Sequence, residues 1–325
     1  MNDVKILIPV IILLVLSPIG PWGCSSGQPA AQRYEFSRLR MGARVDLTFY
    51  CRDEATATQA AEAAFGRMAD IEAALSDWQV DSEVARLREQ PAGEAVPISP
   101  DLDATLAQAL EVSRASQGVF DVSCGALTRL WREARDQGRV PAAAAIEEAR
   151  RSCGWEGLQR GHDEHGPVLL IEHAGVELDF GGIGKGYAAD AALEVLDARG
   201  IHQALVDFGG DIAVGDAPPG TRGWRISAPG RESPLVLANH GVATSGATEQ
   251  FIQVGDRRLS HLLDPRTGEA VVDHGQFTVI APTAARADAW ASVAAVVGVE
   301  RAESLLPAGS GVRFLPPAVE PTAKP

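Results

Sequence analysis

Asp179-Phe-Gly-Gly-Ile-Gly-Lys-Gly-Tyr-Ala-Ala-Asp190 is the stretch on which the interpretation of this chain depends. Residues 176–179 before its glycines predict a strand, and the apolar spacing of residues 187–199 predicts a helix. Glycines let a backbone turn sharply and approach a ligand closely, and the N–H groups that begin a helix favour anions. With Lys185 as a cation at the same place, the segment predicts a phosphate-binding turn. It matches neither common nucleotide-binding loop, so a plain strand-to-helix turn with a solvated lysine remains the alternative.

The whole chain limits the class of protein. It has 325 residues, of which 46% are apolar, which is enough for one large domain or two small ones. Its 29 basic and 43 acidic residues give a net charge of -14. The absence of a basic tract argues against a nucleic-acid partner, because nothing would neutralise the phosphates. A single dinucleotide stays compatible, since one metal ion and one lysine can balance its charge.

The N-terminus predicts export. Lys5 precedes an apolar run over Ile6–Leu16, which has the length of a signal-peptide core and is short for a membrane span. Gly23-Cys24 resembles a lipoprotein processing site, so residues 1–23 are expected to be a signal peptide and Cys24 a lipid anchor to the membrane. Residues 24–37 then form a tether, residues 38–315 the folded domain and residues 316–325 a proline-rich tail. Ordinary signal cleavage or an uncleaved anchor remain alternatives.

The other three cysteines, Cys51, Cys124 and Cys153, are an odd number without CxxC spacing. This pattern excludes a disulfide framework and the usual zinc spacings. We interpret them as small buried apolar residues, with one pair left open.

The order of predicted elements favours an α+β fold, with mixed or antiparallel sheets packed against helices, over a doubly wound sheet. Helices are predicted over 55–75, 82–87, 101–117, 141–151, 187–199 and 284–297. Strands are predicted over 41–50, 168–171, 175–179, 204–207, 224–227, 235–243, 251–254 and 278–281, with 168–171 and 175–179 as a hairpin.

Asp288 and Ser292 offer a possible metal site. They are four residues apart on a predicted helix, so both side chains share one face. A carboxylate and a hydroxyl are oxygen ligands of the kind that Mg²⁺ prefers. An exposed or capping pair is the alternative.

Further motifs stand in a defined order around the glycine segment: Gly118–Trp131, Phe208–Asp211, Gly241–Gly246, His261–Gly268 and Ala287–Ser292. Together with that segment they resemble the ApbE family, the FAD:protein FMN transferases of bacterial periplasms. The resemblance covers about residues 41–306, and it implies a single catalytic domain with the fold of that family.

The resemblance also implies site residues. Mg²⁺ is expected on Asp288, Ser292 and the main-chain carbonyl of Gly182, where the family usually has Thr in place of Ser292 and often Ala in place of Gly182. Trp78 is expected to stack on the flavin ring. The rest of the FAD site is expected to be lined by Met41, Val119, Phe120, Asp121, Asp179, Lys185, Thr244, His261 and Leu262.

The implied reaction moves the FMN half of FAD onto a threonine or serine hydroxyl of an acceptor protein, such as a membrane redox subunit, and releases AMP. Lys185, His261 and Asp288 are the expected catalytic residues, with His261 the first candidate for the base. Two alternatives remain open, which are a periplasmic FAD pyrophosphatase and a non-catalytic flavin-binding lipoprotein.

Overall fold

The computed structural model describes residues 30–246, 251–254, 257–272 and 275–317. The predicted signal peptide, the lipid-anchor cysteine and residues 318–325 of the predicted tail lie outside the described residues. Within the described residues, no helix is long and apolar enough to span a membrane.

A seven-stranded antiparallel sheet forms the centre of the fold. Its strands, in spatial order, are β1 (Gln32–Arg40), β2 (Ala43–Cys51), β6 (Ala204–Phe208), β7 (Asp211–Val214), β10 (His240–Ser245), β14 (Phe277–Ala281) and β15 (Arg313–Phe314). Along β2 every second side chain is buried, and Val45, Leu47 and Phe49 are fully enclosed. This period of two is expected of a strand with one face in the core.

The described residues form three smaller antiparallel sheets in addition to the central one. The first contains β3 (Ala95–Pro97), β4 (Leu158–Asp163) and β5 (Gly166–Ile171), with β5 in the middle. The second contains β11 (Phe251–Val254), β12 (Arg257–Asp264) and β13 (Glu269–Val272), and β8 (Trp224–Ile226) pairs with β9 (Leu235–Leu237).

Eight helices lie within the described residues. They are α1 (Glu54–Leu75), α2 (Glu83–Leu87), α3 (Pro100–Ser116), α4 (Gly125–Asp136), α5 (Ala143–Arg151), α6 (Gly184–Asp197), α7 (Ala284–Val297) and α8 (Val299–Leu305). Helices α6 and α7 pack on the central sheet and against each other, and α1 packs on α6. Helix α7 is buried on nearly all sides, as expected for a helix that is apolar all round. It carries the predicted metal ligands Asp288 and Ser292 into the core.

The predicted α+β class with antiparallel sheets is confirmed, and so are the predicted helices that correspond to α1, α2, α3, α5 and α7. The predicted strand over 175–179 and its hairpin are wrong. Strand β5 pairs with β3 and β4 instead, and the backbone of Glu177 forms an isolated β-bridge with Cys124 that does not extend into a strand. The segment is held by the loop before α4, where the N–H of Asp179 donates to the carbonyl of Val122 at 2.8 Å.

Several predicted boundaries also differ from the structure. The predicted tether over 24–37 overlaps β1, which begins at Gln32 and pairs along its whole length with β2. The strand predicted from Met41 begins at Ala43, because Met41 lies in the turn between β1 and β2 with φ 45°. The strand predicted over 235–243 is interrupted at Asn239, which has φ 55°, and the predicted helix over 187–199 begins earlier, at Gly184.

The three cysteines in the described region are free thiols, with Cys51 buried and Cys124 and Cys153 partly buried. Burial raises the pKa of Cys153 to about 12, so this thiol stays protonated at neutral pH. This agrees with the interpretation of these residues as small packing groups.

Candidate active site

The glycine turn, by which we mean residues 180–186, runs directly into α6 and includes the first three residues of that helix. The carbonyl of Phe180 accepts hydrogen bonds from the N–H groups of Ile183 at 3.0 Å and Gly184 at 2.7 Å, which closes the turn. None of the four glycines in it has a positive φ, so left-handed backbone is not the reason for them. Close packing explains one of them, because a Cβ on Gly186 would collide with the carbonyl oxygen of Ala284 on α7. The turn therefore brings the start of α6 into backbone contact with α7.

The three predicted metal ligands lie at this junction. The side chains of Asp288 and Ser292 are buried one turn apart on α7. A Cβ on Gly182 would lie 3.1 Å from the hydroxyl oxygen of Ser292, so the glycine turn passes directly beside that hydroxyl. A carboxylate, a hydroxyl and a nearby backbone carbonyl are all hard oxygen donors, and this donor set fits Mg²⁺.

Lys185 and two buried carboxylates form a charge cluster at the same junction, in which the lysine is only partly buried. The ammonium group of Lys185 pairs with Asp211, and its nitrogen lies 3.7 Å from Oδ2 of Asp288. Burial acts to lower the pKa of Lys185, but the two carboxylates outweigh it and raise that pKa above its ordinary value. Burial raises the pKa of Asp288 to about 7, with Asp211 adding to the shift and Lys185 opposing it. When both carboxyls are ionised, they exceed the one ammonium group by one negative charge, which a bound divalent cation would offset.

Asp211 in this cluster and Ser245 beside it were not named as site residues from the sequence. Asp211, which is 3% exposed at the start of β7, stands in the Phe208–Asp211 motif that contributed to the resemblance, and that motif was the available signal. Ser245, at the end of β10, has its hydroxyl oxygen 3.5 Å from that of Ser292. It thus adds a further oxygen beside the predicted ligands.

Trp78 projects into solvent beyond the end of α1. Its side chain is 67% exposed, which excludes a role in the core. The guanidinium of Arg132 lies over the indole, 3.6 Å from the ring centroid, and donates to Asp77 at 2.9 Å. Burial raises the pKa of Asp77, and the nearby carboxylate of Asp179 adds to the shift. The indole is thus held by Arg132, which is itself fixed by its salt bridge to Asp77, and the predicted contact of Trp78 with a flavin ring stays a prediction.

Met41 and Phe120 lie against the glycine turn, and their predicted contacts with FAD stay a prediction. The methyl carbon of Met41 lies 3.6 Å from where a Cβ on Gly184 would be, and a ring carbon of Phe120 lies 3.1 Å from the equivalent point on Gly182. Val119 is 3% exposed, so its side chain belongs mainly to the core.

Asp121 and Asp179 each stabilise their own loop. Oδ1 of Asp121 accepts from the N–H of Ser123 at 2.8 Å, and Oδ1 of Asp179 accepts from the N–H of Gly181 at 2.7 Å. Burial raises the pKa of Asp121, and its hydrogen bonds to Ser123 oppose that shift. These contacts realise the turn-forming role of aspartate, and the predicted contacts with FAD remain a prediction.

The remaining predicted residues lie on strands. The hydroxyl of Thr244 on β10 pairs with that of Thr278 on β14 at 2.8 Å. His261 is exposed on β12, whereas the next residue, Leu262, packs against the main core. Neighbouring side chains on a strand point to opposite faces, which explains why His261 is exposed and Leu262 is packed inside. The predicted place of both residues beside the FAD diphosphate stays a prediction.

Comparison with known proteins identifies relatives over most of the chain. Residues 41–315 match the model of the ApbE family. The FAD:protein FMN transferase of Treponema pallidum is 30% identical over 325 residues, which cover 94% of this chain and 89% of that protein. The Escherichia coli K12 protein of the same name is 28% identical over 71% of this chain and 69% of its own length. The crystal structure of apo Pseudomonas stutzeri flavinyl transferase ApbE superposes with a TM-score of 0.76 at 27% identity, covering 88% of this chain and 95% of that one.

Proposed function

The chain belongs to the ApbE family and is an FAD:protein FMN transferase, and we propose that it uses Mg²⁺ to place FMN on a threonine or serine hydroxyl of an acceptor protein. The observation that carries the finer proposal is the cluster of Lys185, Asp288 and Ser292 where the start of α6 meets α7. It combines oxygen ligands for a hard cation with a lysine that can face a diphosphate.

The proposed reaction is a substitution at phosphorus. The acceptor hydroxyl oxygen forms a bond to the phosphorus of the FMN half of FAD, and the bond from that phosphorus to the bridging oxygen breaks. AMP leaves with the bridging oxygen, the hydroxyl proton passes to a base, and FMN stays on the acceptor as a phosphoester. Chemistry of this type depends mainly on positioning and on neutralising charge.

The residues of the cluster have distinct proposed roles. Asp288, Ser292 and the carbonyl of Gly182 would hold Mg²⁺, which when bound would neutralise charge on the diphosphate. Lys185 adds a second positive charge from the start of α6, and its side chain is 30% exposed and so can reach a ligand. Asp211 pairs with that ammonium group and, together with Asp288, keeps it charged.

His261 is the proposed base for the acceptor hydroxyl. Its exposed position on β12 supports this role, because an acceptor protein must approach from solvent. Trp78 is the proposed contact for the flavin ring, and its exposed indole, already fixed by Arg132, supports that assignment.

Export to the periplasm and a lipid anchor at Cys24 are also part of the proposal. Their support lies in the sequence, where the apolar run over Ile6–Leu16 is followed by Gly23-Cys24. An acceptor would then be an exported protein or the exposed part of a membrane redox subunit.

The test combines the purified protein with FAD, Mg²⁺ and membrane proteins from a strain of the source organism that lacks this gene. A flavin-fluorescent band on a denaturing gel, lost when EDTA removes the metal, is the expected result. Release of AMP and free FMN without a labelled band would favour the pyrophosphatase. Recovery of intact FAD would favour a flavin-binding protein.

A further inference from the structure

We infer that Asp190 is a positioning residue that fixes the start of α7 on α6 and thereby sets the spacing between the proposed metal ligands and Lys185. The inference rests on the proposed function, because it concerns how the same site is assembled.

The contacts of Asp190 join two helices that are far apart in sequence. From α6, its Oδ1 accepts from the N–H of Ala284 at 2.8 Å and its Oδ2 accepts from the N–H of Ala285 at 2.9 Å. These are the first two N–H groups of α7, which have no partner inside their own helix. Both oxygens of the Asp190 carboxylate thus hold the start of α7 against α6.

Helix α7 has its own cap in addition. The hydroxyl of Thr283 accepts from the N–H of Arg286 at 3.3 Å, which satisfies the third N–H group of the helix. Thr283 therefore stabilises α7 from within, whereas Asp190 ties it to α6. A change at Thr283 should therefore affect the stability of α7, and a change at Asp190 should affect its position relative to α6.

Gly186 acts at the same contact, one turn before Asp190 on the same face of α6. A side chain on Gly186 would collide with the carbonyl of Ala284, so glycine is required for the helices to approach this closely. Gly186 permits the approach, and Asp190 fixes it through directed hydrogen bonds.

The position of α7 determines the geometry of the site. Asp288 lies one turn after Ala284, and its Oδ2 is 3.4 Å from the N–H of Gly186 and 3.7 Å from the ammonium nitrogen of Lys185. A helix is stiff over two turns, so a shift at Ala284 moves Asp288 and Ser292 away from α6 together. The glycine turn, with the carbonyl of Gly182, would stay with α6.

The test compares Asp190→Asn with Thr283→Ala. The asparagine amide can accept one of the two hydrogen bonds but meets the other N–H with a donor of its own. The alanine removes the internal cap of the same helix and leaves the link to α6 intact. For each protein we would measure thermal stability and the Mg²⁺ concentration that gives half-maximal FAD binding. Flavin fluorescence in the absence of acceptor reports the binding.

We expect Asp190→Asn to raise the required Mg²⁺ concentration about tenfold or more, the usual cost of disturbing residues that orient metal ligands. Thr283→Ala should lower the thermal stability. It should change the required Mg²⁺ concentration by less than about twofold, because the metal ligands keep their place. Gly186→Ala should raise the Mg²⁺ requirement as Asp190→Asn does. Its control is Gly66→Ala in α1, where a Cβ meets nothing within 4 Å.

Equal Mg²⁺ shifts in Asp190→Asn and Thr283→Ala would overturn the inference, since helix stability alone would then explain them. An unchanged Mg²⁺ requirement in Asp190→Asn would overturn it as well. Wild-type protein whose FAD binding ignores Mg²⁺ would instead remove the proposed metal site, and this inference with it.

Discussion

The ammonium nitrogen of Lys185 lies 3.7 Å from Oδ2 of Asp288, although the two residues come from the start of α6 and the middle of α7. The first is the proposed contact of the FAD diphosphate, and the second is the only charged ligand proposed for Mg²⁺. The structure therefore brings the two charges that the proposed chemistry needs into one cluster, with Asp211 as a third member.

Asp288→Ala should reduce kcat/KM for FMN transfer by about a hundredfold or more, because metal stabilisation of transition-state charge is worth several kcal/mol. The fold should survive, since alanine favours a helix and the change removes a buried charge. The check is the transfer rate at limiting Mg²⁺ alongside a thermal melt. Ser292→Thr is the matched control, because it keeps the hydroxyl and should retain or improve activity. Normal transfer by the alanine variant at limiting Mg²⁺ would show that the metal site lies elsewhere.

Trp78→Ala should weaken FAD binding by about 1 kcal/mol, the usual contribution of an aromatic pair beyond its buried area. ADP, which lacks the flavin ring, should bind as before, and equilibrium titration of both ligands measures the difference. Val80→Ala is a suitable control, since Val80 lies two residues further on and is 92% exposed. Equal losses for FAD and ADP would mean that Trp78 supports the site as a whole and does not contact the flavin.

The loss of folding stability at acidic pH should depend in part on Asp101. A hydrogen-bonded ion pair with Arg67 lowers the pKa of Asp101, with burial opposing it and the hydroxyl of Tyr187, 3.0 Å away, acting in the same direction as Arg67. A lowered pKa in the folded state means that the stabilisation is present above the unfolded value of 3.8 and is lost as the pH falls below it. Asp101→Asn should therefore be less stable than wild type at pH 7, and the difference in stability between the two proteins should become smaller below about pH 4. Thermal melts between pH 2.5 and 7 would show this, and a gap that is constant over the whole range would contradict it.

Cys24→Ser should convert a membrane-associated protein into one that is soluble or unprocessed, because the substitution removes the proposed lipid-bearing thiol. Fractionation of cells that express each form measures this. Wild-type protein that is fully soluble in the periplasm would exclude the anchor.

Local signals explain which elements the sequence predicts well. The bounds predicted for α7 match the structure, because a threonine cap and a continuous apolar segment mark it. Helix α4 was not predicted, and its first residue is a glycine that follows Cys124 without any side-chain cap. Strand β1 was assigned in part to the tether, because its side chains alternate only between exposed and partly buried. A weak alternation of this kind carries little hydrophobic signal.

The site shows the same limit. The spacing of Asp288 and Ser292 along one helix is visible in the sequence, and so is the glycine turn. The roles of Asp211 and Asp190 depend on partners 26 and 94 residues away, which only the folded chain brings together. No local periodicity records such contacts, so they emerge only from the packing of α6 on α7 and the sheet.

The mass of the acceptor protein after reaction with FAD, Mg²⁺ and the purified enzyme tests the central claim most directly. Our account predicts a gain equal to FMN less one water on a peptide that contains threonine or serine, with one AMP released for each FMN attached. An acceptor of unchanged mass, with AMP and free FMN released in equal amounts, would contradict it.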